Sequence, residues 1–387
     1  MKQFEGTFFQ KESGFSLIEL LIVLAILGVL MTAVVMSFTH TIRSTATQTG
    51  IAETQIETGV GLELLRADLE HAGFGLPWAY PAGGINNYGE PAPMADAPGG
   101  IPRALISTNN SALSSNLSDY LVIRGTNVIR GGIGQNWGYV GRDINRNVLV
   151  QSMGATAFVN NDRVIVINPE RSPGVLRQLV TDGVGNYSTW TTAAPTALNN
   201  ANFAPIPTPN DPNGERFMVY GITTPPNNVR RPFNRTDYFI NNANVPTHCA
   251  PGTGVLFKAT ANHANDNLGV PVPIVDCVAD AQIVYYLDTN GDGGWNQRVN
   301  ADGLNGLTAQ QIRQQVKAIR YYILIHEGGI DRNYIYPNAN INVGEMNPAG
   351  TALLAGRPFN ISAVAGANWA NYRWKIESIA VTPKNLQ

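Results

Sequence analysis

The clearest change of hydrophobic pattern along the chain lies near its start. From Leu20 to Ile42 no residue carries a formal charge, and apolar side chains would lie on every side of a helix formed by this segment. A helix of about 23 residues, rising 1.5 Å per residue, is long enough to cross a hydrocarbon core of about 30 Å. The pattern therefore predicts a membrane-spanning helix.

Beyond this segment the apolar pattern becomes one-sided. Apolar or small residues recur at alternating four- and three-residue steps, which predicts an amphipathic helix. No proline lies between residues 15 and 72, so one helix of about 58 residues, about 87 Å long, is predicted. Gly73, Gly75 and Pro77 are expected to end it. The one-sided positions are Ile51, Gln55, Thr58, Leu62, Leu65, Leu69 and Ala72. Three glycines, Gly50, Gly59 and Gly61, would each weaken the helix by up to about 1 kcal/mol relative to alanine.

From residue 73 onward the pattern is typical of a β-rich domain. Short runs of β-branched and aromatic residues alternate with Gly, Pro, Asn and Asp, as in strands joined by turns. The loops between them are long, and residues 194–214 are expected at an exposed surface. We therefore predict an α+β fold, with a long N-terminal helix packed on a β-rich globular head. The predicted strands are 120–124, 163–167, 216–220, 255–259, 282–287, 318–325 and 374–381.

Composition narrows the class of partners. Only 14% of the 387 residues are charged and the net charge is -2, so the chain as a whole has no electrostatic attraction for nucleic acid or anionic lipid.

The chain has two cysteines, Cys249 and Cys277. This even pair predicts a disulfide in an exported chain. Closing a loop of about 28 residues would stabilise the head by about 3 kcal/mol. Two buried free thiols are the alternative.

The stretch KESGFSLIELLIVLAILGVL, residues 11–30, resembles the prepilin signature of type IV pilins and type II secretion pseudopilins. The resemblance implies a type IV pilin-like fold, cleavage by a prepilin peptidase between Gly14 and Phe15, and N-methylation of Phe15. An uncleaved signal anchor is the alternative. The implied segments are a leader at 1–14, a helix at 15–72 and a head at 73–387, with 15–42 as the transmembrane and filament-core part of the helix and 43–72 as its amphipathic part.

Glu19 is the acid near the start of the apolar stretch. A lone carboxylate in a membrane segment costs a few kcal/mol unless it is paired. Cleavage would create a positive amine on Phe15, one helical turn away, and either this amine or that of a neighbouring subunit could pair with Glu19. The alternative is that Glu19 lies among the lipid headgroups, where the helix dipole favours an acid in the first turn.

The C-terminal third resembles a narrower group. Residues 280–296 (DAQIVYYLDTNGDGGWN), 316–328 and 372–386 are similar to PilW-type minor pilins, and the chain length suits these better than the smaller GspJ pseudopilins. The resemblance implies a minor pilin that primes pilus assembly at the tip, with other minor pilins, the major pilin and prepilin peptidase as partners. Its precursor would lie in the inner membrane of a bacterium and its mature form in an extracellular pilus or periplasm-spanning filament. A type II secretion pseudopilin, and an adhesin or DNA-uptake head carried on a pilus, are the alternatives.

One turn could hold calcium, the only cofactor that the sequence suggests. Asp288, Asn290 and Asp292 begin the sequence DTNGDG at the spacing of an oxygen-lined calcium loop. The twelfth position is Val299, so a helix-loop-helix site is not expected, but Asp302 could still converge with the other three on Ca²⁺. The alternative is a solvated turn, since Asn-Gly and Asp-Gly favour turns.

A basic and aromatic stretch at 124–147 is the candidate for DNA contact. Arginines contact phosphates, and aromatic rings stack on bases. Ordinary solvated surface is the alternative, and the second basic stretch at 230–235 has the same two interpretations. The candidate residues are Arg124, Arg130, Arg142, Arg146, Trp137 and Tyr139.

Catalysis has no motif in this sequence. The five histidines are scattered, and neither GxSxG, HExxH, a P-loop nor a dinucleotide-binding glycine motif is present. We therefore expect that the protein is not an enzyme.

Overall fold

The structure is a computed structural model, and it describes residues 14, 16–81, 84–85, 88–96, 100–129, 132–142, 148–154, 157–172, 175–181, 187–190, 216–225 and 229–386. The predicted leader up to residue 13, the methylation residue Phe15, and the DNA candidates Arg130 and Arg146 lie outside the described residues.

A single long helix, α1, runs from Leu17 to Glu70 over 54 residues. Every residue of α1 up to Ala46 is exposed, and buried positions begin only at Thr54. The apolar half is long and apolar enough to cross a membrane. After α1 the chain turns through Gly73, whose φ of +81° suits glycine.

The head contains sixteen strands and two short helices among the described residues. The strands are β1 (Leu105–Thr108), β2 (Tyr120–Gly125), β3 (Trp137–Arg142), β4 (Val148–Met153), β5 (Arg163–Ser172), β6 (Val175–Val180), β7 (Ser188–Thr189), β8 (Phe217–Thr223), β9 (Asn234–Asn241), β10 (Gly254–Thr260), β11 (Val272–Leu287), β12 (Gln297–Asn300), β13 (Val316–Glu327), β14 (Asn340–Met346), β15 (Leu353–Asn360) and β16 (Arg373–Val381). The helices are α2 (Ala309–Gln315) and α3 (Ile361–Val364).

The strands form three antiparallel sheets. The main sheet has the order β1-β2-β9-β10-β11-β13-β16, with β12 beside β11. A second sheet has the order β4-β3-β8-β5-β6, with β7 beside β5, and β14 and β15 form a two-stranded sheet. The docked half of α1 packs on the main sheet, mostly on β11, β13 and β16. The predicted α+β architecture, a long N-terminal helix on a β-rich head, is confirmed.

The main sheet is buried on both faces, which explains the continuous apolar runs in its central strands. Along β11, Ile283 and Tyr285 lie in the core beneath α1, together with Leu65. The alternate residues Val284 and Tyr286 lie in a second core with β14 and β15. Successive side chains of a strand point to opposite faces, so a strand covered on both sides needs apolar residues at every position.

The buried stripe of α1 differs from the predicted one at its start. Thr58, Leu62, Leu65 and Leu69 are buried as expected. Gln55, however, is exposed, and Thr54 takes the buried position one residue earlier. The steps from 54 to 58, 62, 65 and 69 remain the three- and four-residue steps of one helix face. Both residues are polar, so the hydrophobic pattern could not choose between them.

Candidate functional site

The N-terminus of α1 is closed by a capping box. Ser16 is the N-cap, and its Oγ accepts a hydrogen bond from the backbone N of Ile18 at 3.2 Å. In return, Oε2 of Glu19 accepts a hydrogen bond from the backbone N of Ser16 at 2.9 Å. Both bonds satisfy backbone donors that have no partner within the helix. In the uncleaved chain, the carboxylate of Glu19 is therefore bonded to the backbone of Ser16.

This bond fixes where the Glu19 carboxylate lies. Ser16 follows Phe15 directly in the chain, so the carboxylate is held at the turn where cleavage after Gly14 would release a new amine. The positive end of the helix dipole also favours a negative charge at this place. The pairing of Glu19 with that amine remains a prediction.

The docked half of α1 is attached to the head by polar contacts as well as by its apolar stripe. Asp68 is buried and forms an ion pair with Lys258 of β10. Its Oδ2 also accepts a hydrogen bond from the hydroxyl of Tyr238 in β9 at 2.6 Å. Nearer the membrane segment, Thr54 Oγ1 accepts a hydrogen bond from Gly328 N at 3.2 Å.

Gly61 allows the helix to approach the sheet closely. A Cβ at this position would lie 2.1 Å from the carbonyl oxygen of Ile274 and 2.7 Å from a methyl carbon of Val275. Neither atom leaves room for a side chain. Gly61, which sequence reasoning treated only as a weak point of the helix, is therefore required by the packing of α1 on β11.

The predicted disulfide between Cys249 and Cys277 is confirmed, with an S–S distance of 2.00 Å and a Cα–Cα distance of 5.0 Å. It joins the loop before β10 to β11. A ligand nitrogen of His248 and both sulfur atoms lie within 4.8 Å of one another. Because the two sulfurs are bonded to each other, neither is the free thiolate that metal ligation requires.

His326 connects this disulfide loop to the docking region of α1. Its Nε2 accepts a hydrogen bond from the backbone N of Ala250 at 2.8 Å, so Nδ1 carries the proton and donates to the carbonyl of Gly328 at 3.0 Å. Acceptance at Nε2 requires the neutral ring, because a protonated Nε2 has no lone pair for the amide of Ala250. Burial lowers the pKa of His326 to about 4, because the charged ring would lose its hydration. The amide of Gly328 in turn donates to Thr54 of α1.

The proposed calcium ligands do not converge. The two carboxylate oxygens of Asp288 accept hydrogen bonds from the backbone N of Gly291 at 2.6 Å and of Gly293 at 2.9 Å, as in a self-closed turn. Asp302 instead accepts from the backbone N of Asn109 at 2.8 Å, at the end of β1.

The described Asp and Glu residues near this turn also do not form a group of three close ligand atoms. His248 with the two cysteines is the one group among the described residues in which three His, Cys, Asp or Glu ligand atoms lie together. The expected convergence of Asp302 with Asp288, Asn290 and Asp292 is not seen: Asp302 caps the backbone of Asn109, and the other three residues lie in a turn closed by Asp288.

Arg124 is not a DNA ligand, which corrects the prediction for this residue. Its side chain is 0% exposed, and its Nε donates to Oε1 of Glu90 at 2.6 Å. Other nitrogens of the same guanidinium donate to the carbonyls of Met94 and Arg103. Arg235 donates to the same oxygen of Glu90 at 3.0 Å. The arginines neutralise a buried acid and help to fix the segment before β1 on the sheet.

The remaining basic and aromatic candidates are also built into the head. Trp137 and Tyr139 of β3 are half-buried and pack edge to face with ring centroids 5.6 Å apart, and Arg142 is half-buried at the end of the same strand. In the second basic stretch, Arg231 is fully buried and Arg230 pairs with Asp266. Among the described residues, neither stretch presents a row of free arginines.

The comparison with protein families supports the interpretation of the N-terminal part of α1. The family model of the prokaryotic N-terminal methylation motif matches residues 9–35. No curated protein matches the chain. Among solved structures, a type IV-like pilin from Thermus thermophilus is similar, with 16% sequence identity and a TM-score of 0.21 over 40% of this chain and 69% of that chain.

The motif and the architecture, rather than this distant structural likeness, characterise the N-terminal part of the chain. A methylation motif leads into an exposed apolar helix, and the same helix continues onto a β-rich head. The chain therefore carries an N-terminal methylation motif at the start of a long helix that continues onto a β-rich head. The apolar helix and the motif fit a membrane-anchored precursor.

Proposed function

We propose that the protein is a minor pilin of a type IV pilus, a structural subunit that helps to prime assembly. The observation that carries the proposal is the division of α1. Its second half is fixed to the head, whereas the residues from Leu17 to Ala46 are exposed throughout. Lipid would cover this apolar surface in the precursor, and the corresponding helices of neighbouring subunits would cover it in the filament.

Glu19 would make this transfer possible. Leaving a charged carboxylate in an apolar helix bundle is unfavourable unless an opposite charge accompanies it. The amine released on Phe15, from the same chain or from the next subunit, supplies that charge at the helix start where the capping box holds Glu19. The pair would set the axial position of one subunit against the next.

The C-terminal resemblance to PilW-type minor pilins supports a priming role at the pilus tip over a role as the main repeating subunit. In this function the protein forms a starting bundle with other minor pilins, and major pilins add below it. A type II secretion pseudopilin shares the same N-terminal features. Deletion of the gene distinguishes the two, because a minor pilin is required for surface pili and a pseudopilin for release of exported hydrolases.

The proposal is tested by Glu19→Ala in the native host. We expect prepilin peptidase to process this variant, because the cleavage bond is intact, while the number of surface pili falls sharply. Glu53→Ala is the matched control, since Glu53 is an exposed acid on the same helix. Gly14→Glu should instead leave the unprocessed precursor, visible as a larger band on a gel. Normal piliation by processed Glu19→Ala would contradict the docking role.

A further inference from the structure

A cleft lies where the apolar half of α1 meets the head. It has a volume of about 1160 Å³ and is formed by one side of α1 from Met36 to Ile51, by the loop at 330–333, and by Arg373 at the start of β16. Pockets of about 300 to 1,000 Å³ hold ligands of drug size, so this cleft has room for a phospholipid headgroup. Arg43 is the first charged residue after the membrane segment, and it lies on the wall of the cleft.

The cleft is positively charged although the protein as a whole is not. Arg43, Arg332 and Arg373 line it, opposed by Asp331 alone, which gives a formal charge of +2 against -2 for the whole chain. Asp331 is already paired with Arg373 at 2.8 Å. In the part of the chain that the structure describes, Arg43 and Arg332 are both exposed and form no ion pair. Two arginines are thus available for an anion.

A third arginine offers a further donor. The Nε of Arg373 is buried and has no hydrogen-bond partner among the described residues, because its ion pair with Asp331 uses Nη2. A buried donor without a partner is unfavourable, and a bound acceptor would satisfy it. A phosphate oxygen in the cleft is an acceptor of the required charge.

The head loop that carries Arg332 has the composition of a membrane-surface segment. Ile330 is 43% exposed and Ile335 is 76% exposed, one on each side of the arginine. Tyr334, between them, lies under the guanidinium of Arg373 at 4.3 Å from its ring centroid. Apolar and aromatic residues beside arginine are typical of the interface between lipid and water. Because the wall of the cleft includes the end of the membrane segment, this loop would face the lipid surface.

We propose that this cleft binds the phosphate of an anionic phospholipid headgroup in the membrane that anchors α1. Arg43 and Arg332 supply the charge, and Arg373 supplies the unpartnered Nε. The bound lipid would hold the head against the membrane surface, with α1 at a fixed depth, before the subunit enters a filament. The proposal rests on the membrane anchoring of the precursor, and it does not require that the protein be a minor pilin.

The test is native mass spectrometry of the purified full chain in detergent, titrated with phosphatidylglycerol. We expect binding to weaken about fivefold in Arg43→Gln or Arg332→Gln and about thirtyfold in the double variant, since each arginine loses one charge contact with the lipid. Arg216→Gln, which removes an exposed arginine outside the cleft, should leave binding unchanged. Circular dichroism confirms that each variant is folded.

Two further arms identify the ligand. Zwitterionic phosphatidylethanolamine should bind more weakly than phosphatidylglycerol, and its binding should be insensitive to the substitutions. Inorganic phosphate at an equal concentration should not displace phosphatidylglycerol; displacement would show that the site recognises free phosphate and would overturn the proposal. Equal binding of phosphatidylglycerol by the wild type and the double variant would also overturn it. The pilin assignment would survive either result, because cleavage and piliation are measured separately.

Discussion

The two halves of α1 have the same backbone but opposite surroundings. From Leu17 to Ala46 all residues are exposed, whereas from Thr54 to Leu69 one face is buried against the main sheet. Within the described part of the chain, the first half forms no hydrogen bond or ion pair with the head. The second half has an ion pair at Asp68, a glycine contact at Gly61 and a hydrogen bond at Thr54.

This difference shows how one helix can belong to two environments. Its apolar half is suited to any apolar surroundings, because dispersion and burial do not depend on direction. The docked half contacts specific atoms of the head and remains with it. In the proposed function, this division would let the subunit exchange lipid for neighbouring helices while its head stays intact.

The largest effect on the docked half is expected from Asp68→Ala. Removal of one partner of a buried ion pair leaves the other charge without compensation, which costs about 3–5 kcal/mol. The free energy of unfolding of the full chain in detergent, measured with urea, should fall by that amount. Glu63→Ala on the same helix, which breaks only the exposed pair with Arg66, should change it by less than about 1 kcal/mol. Equal effects of the two variants would contradict the role of the buried pair.

Acid should loosen the docked half through His326. Its pKa is about 4 in the folded protein and near 6.5 in the unfolded chain, so the unfolded state binds more protons between these values. The contribution to stability is therefore complete above about pH 6.5 and is lost as pH falls toward 4, by up to about 3 kcal/mol.

The control for this pH dependence is His326→Gln, which cannot titrate in this range. As the pH falls from about 6.5 toward 4, the wild type should lose stability that the variant does not lose, while hydrogen exchange in the α1 helix of the wild type should quicken near Thr54 and not in the apolar half. Parallel curves for wild type and variant would show that His326 has no part in the pH dependence.

The smallest change in the free energy of unfolding is expected from a substitution at Gly61, where the helix contacts β11. Gly61→Ala places a methyl group against the carbonyl of Ile274, and such overpacking costs about 1–3 kcal/mol. Gly59→Ala is the matched control, because a Cβ there meets nothing within 4 Å and should stabilise the helix by up to about 1 kcal/mol. Opposite signs in urea unfolding are the expected result. A gain of stability in both variants would mean that α1 does not pack on β11 as described.

Much of the fold was predictable because its signals are local. The apolar run, the helical spacing of Leu62, Leu65 and Leu69, and the β-branched runs of the central strands each report a repeating environment along the chain. The cysteine pair was predictable from its number alone. By contrast, β9 was missed, since Arg235 and Asp237 are buried in it and interrupt the apolar pattern.

The errors in the candidate sites have a common physical cause. Arg124 looks like a surface arginine in the sequence, and its burial depends on Glu90, an acid 34 residues earlier in a segment without periodicity. Asp302 follows the acidic turn closely, yet its carboxylate bonds to Asn109 across the sheet. Pairing between distant segments is decided by the fold, and a single sequence contains no local signal for it.

The most direct test of the account is the mass of the N-terminal peptide of the cellular protein, from cells with and without prepilin peptidase. The account predicts that the peptide begins at Phe15 and carries one added methyl group when the peptidase is present, and that residues 1–14 are retained when it is absent. A mature protein that keeps residues 1–14 in the presence of the peptidase would contradict it, because Glu19 would then never meet a free amine.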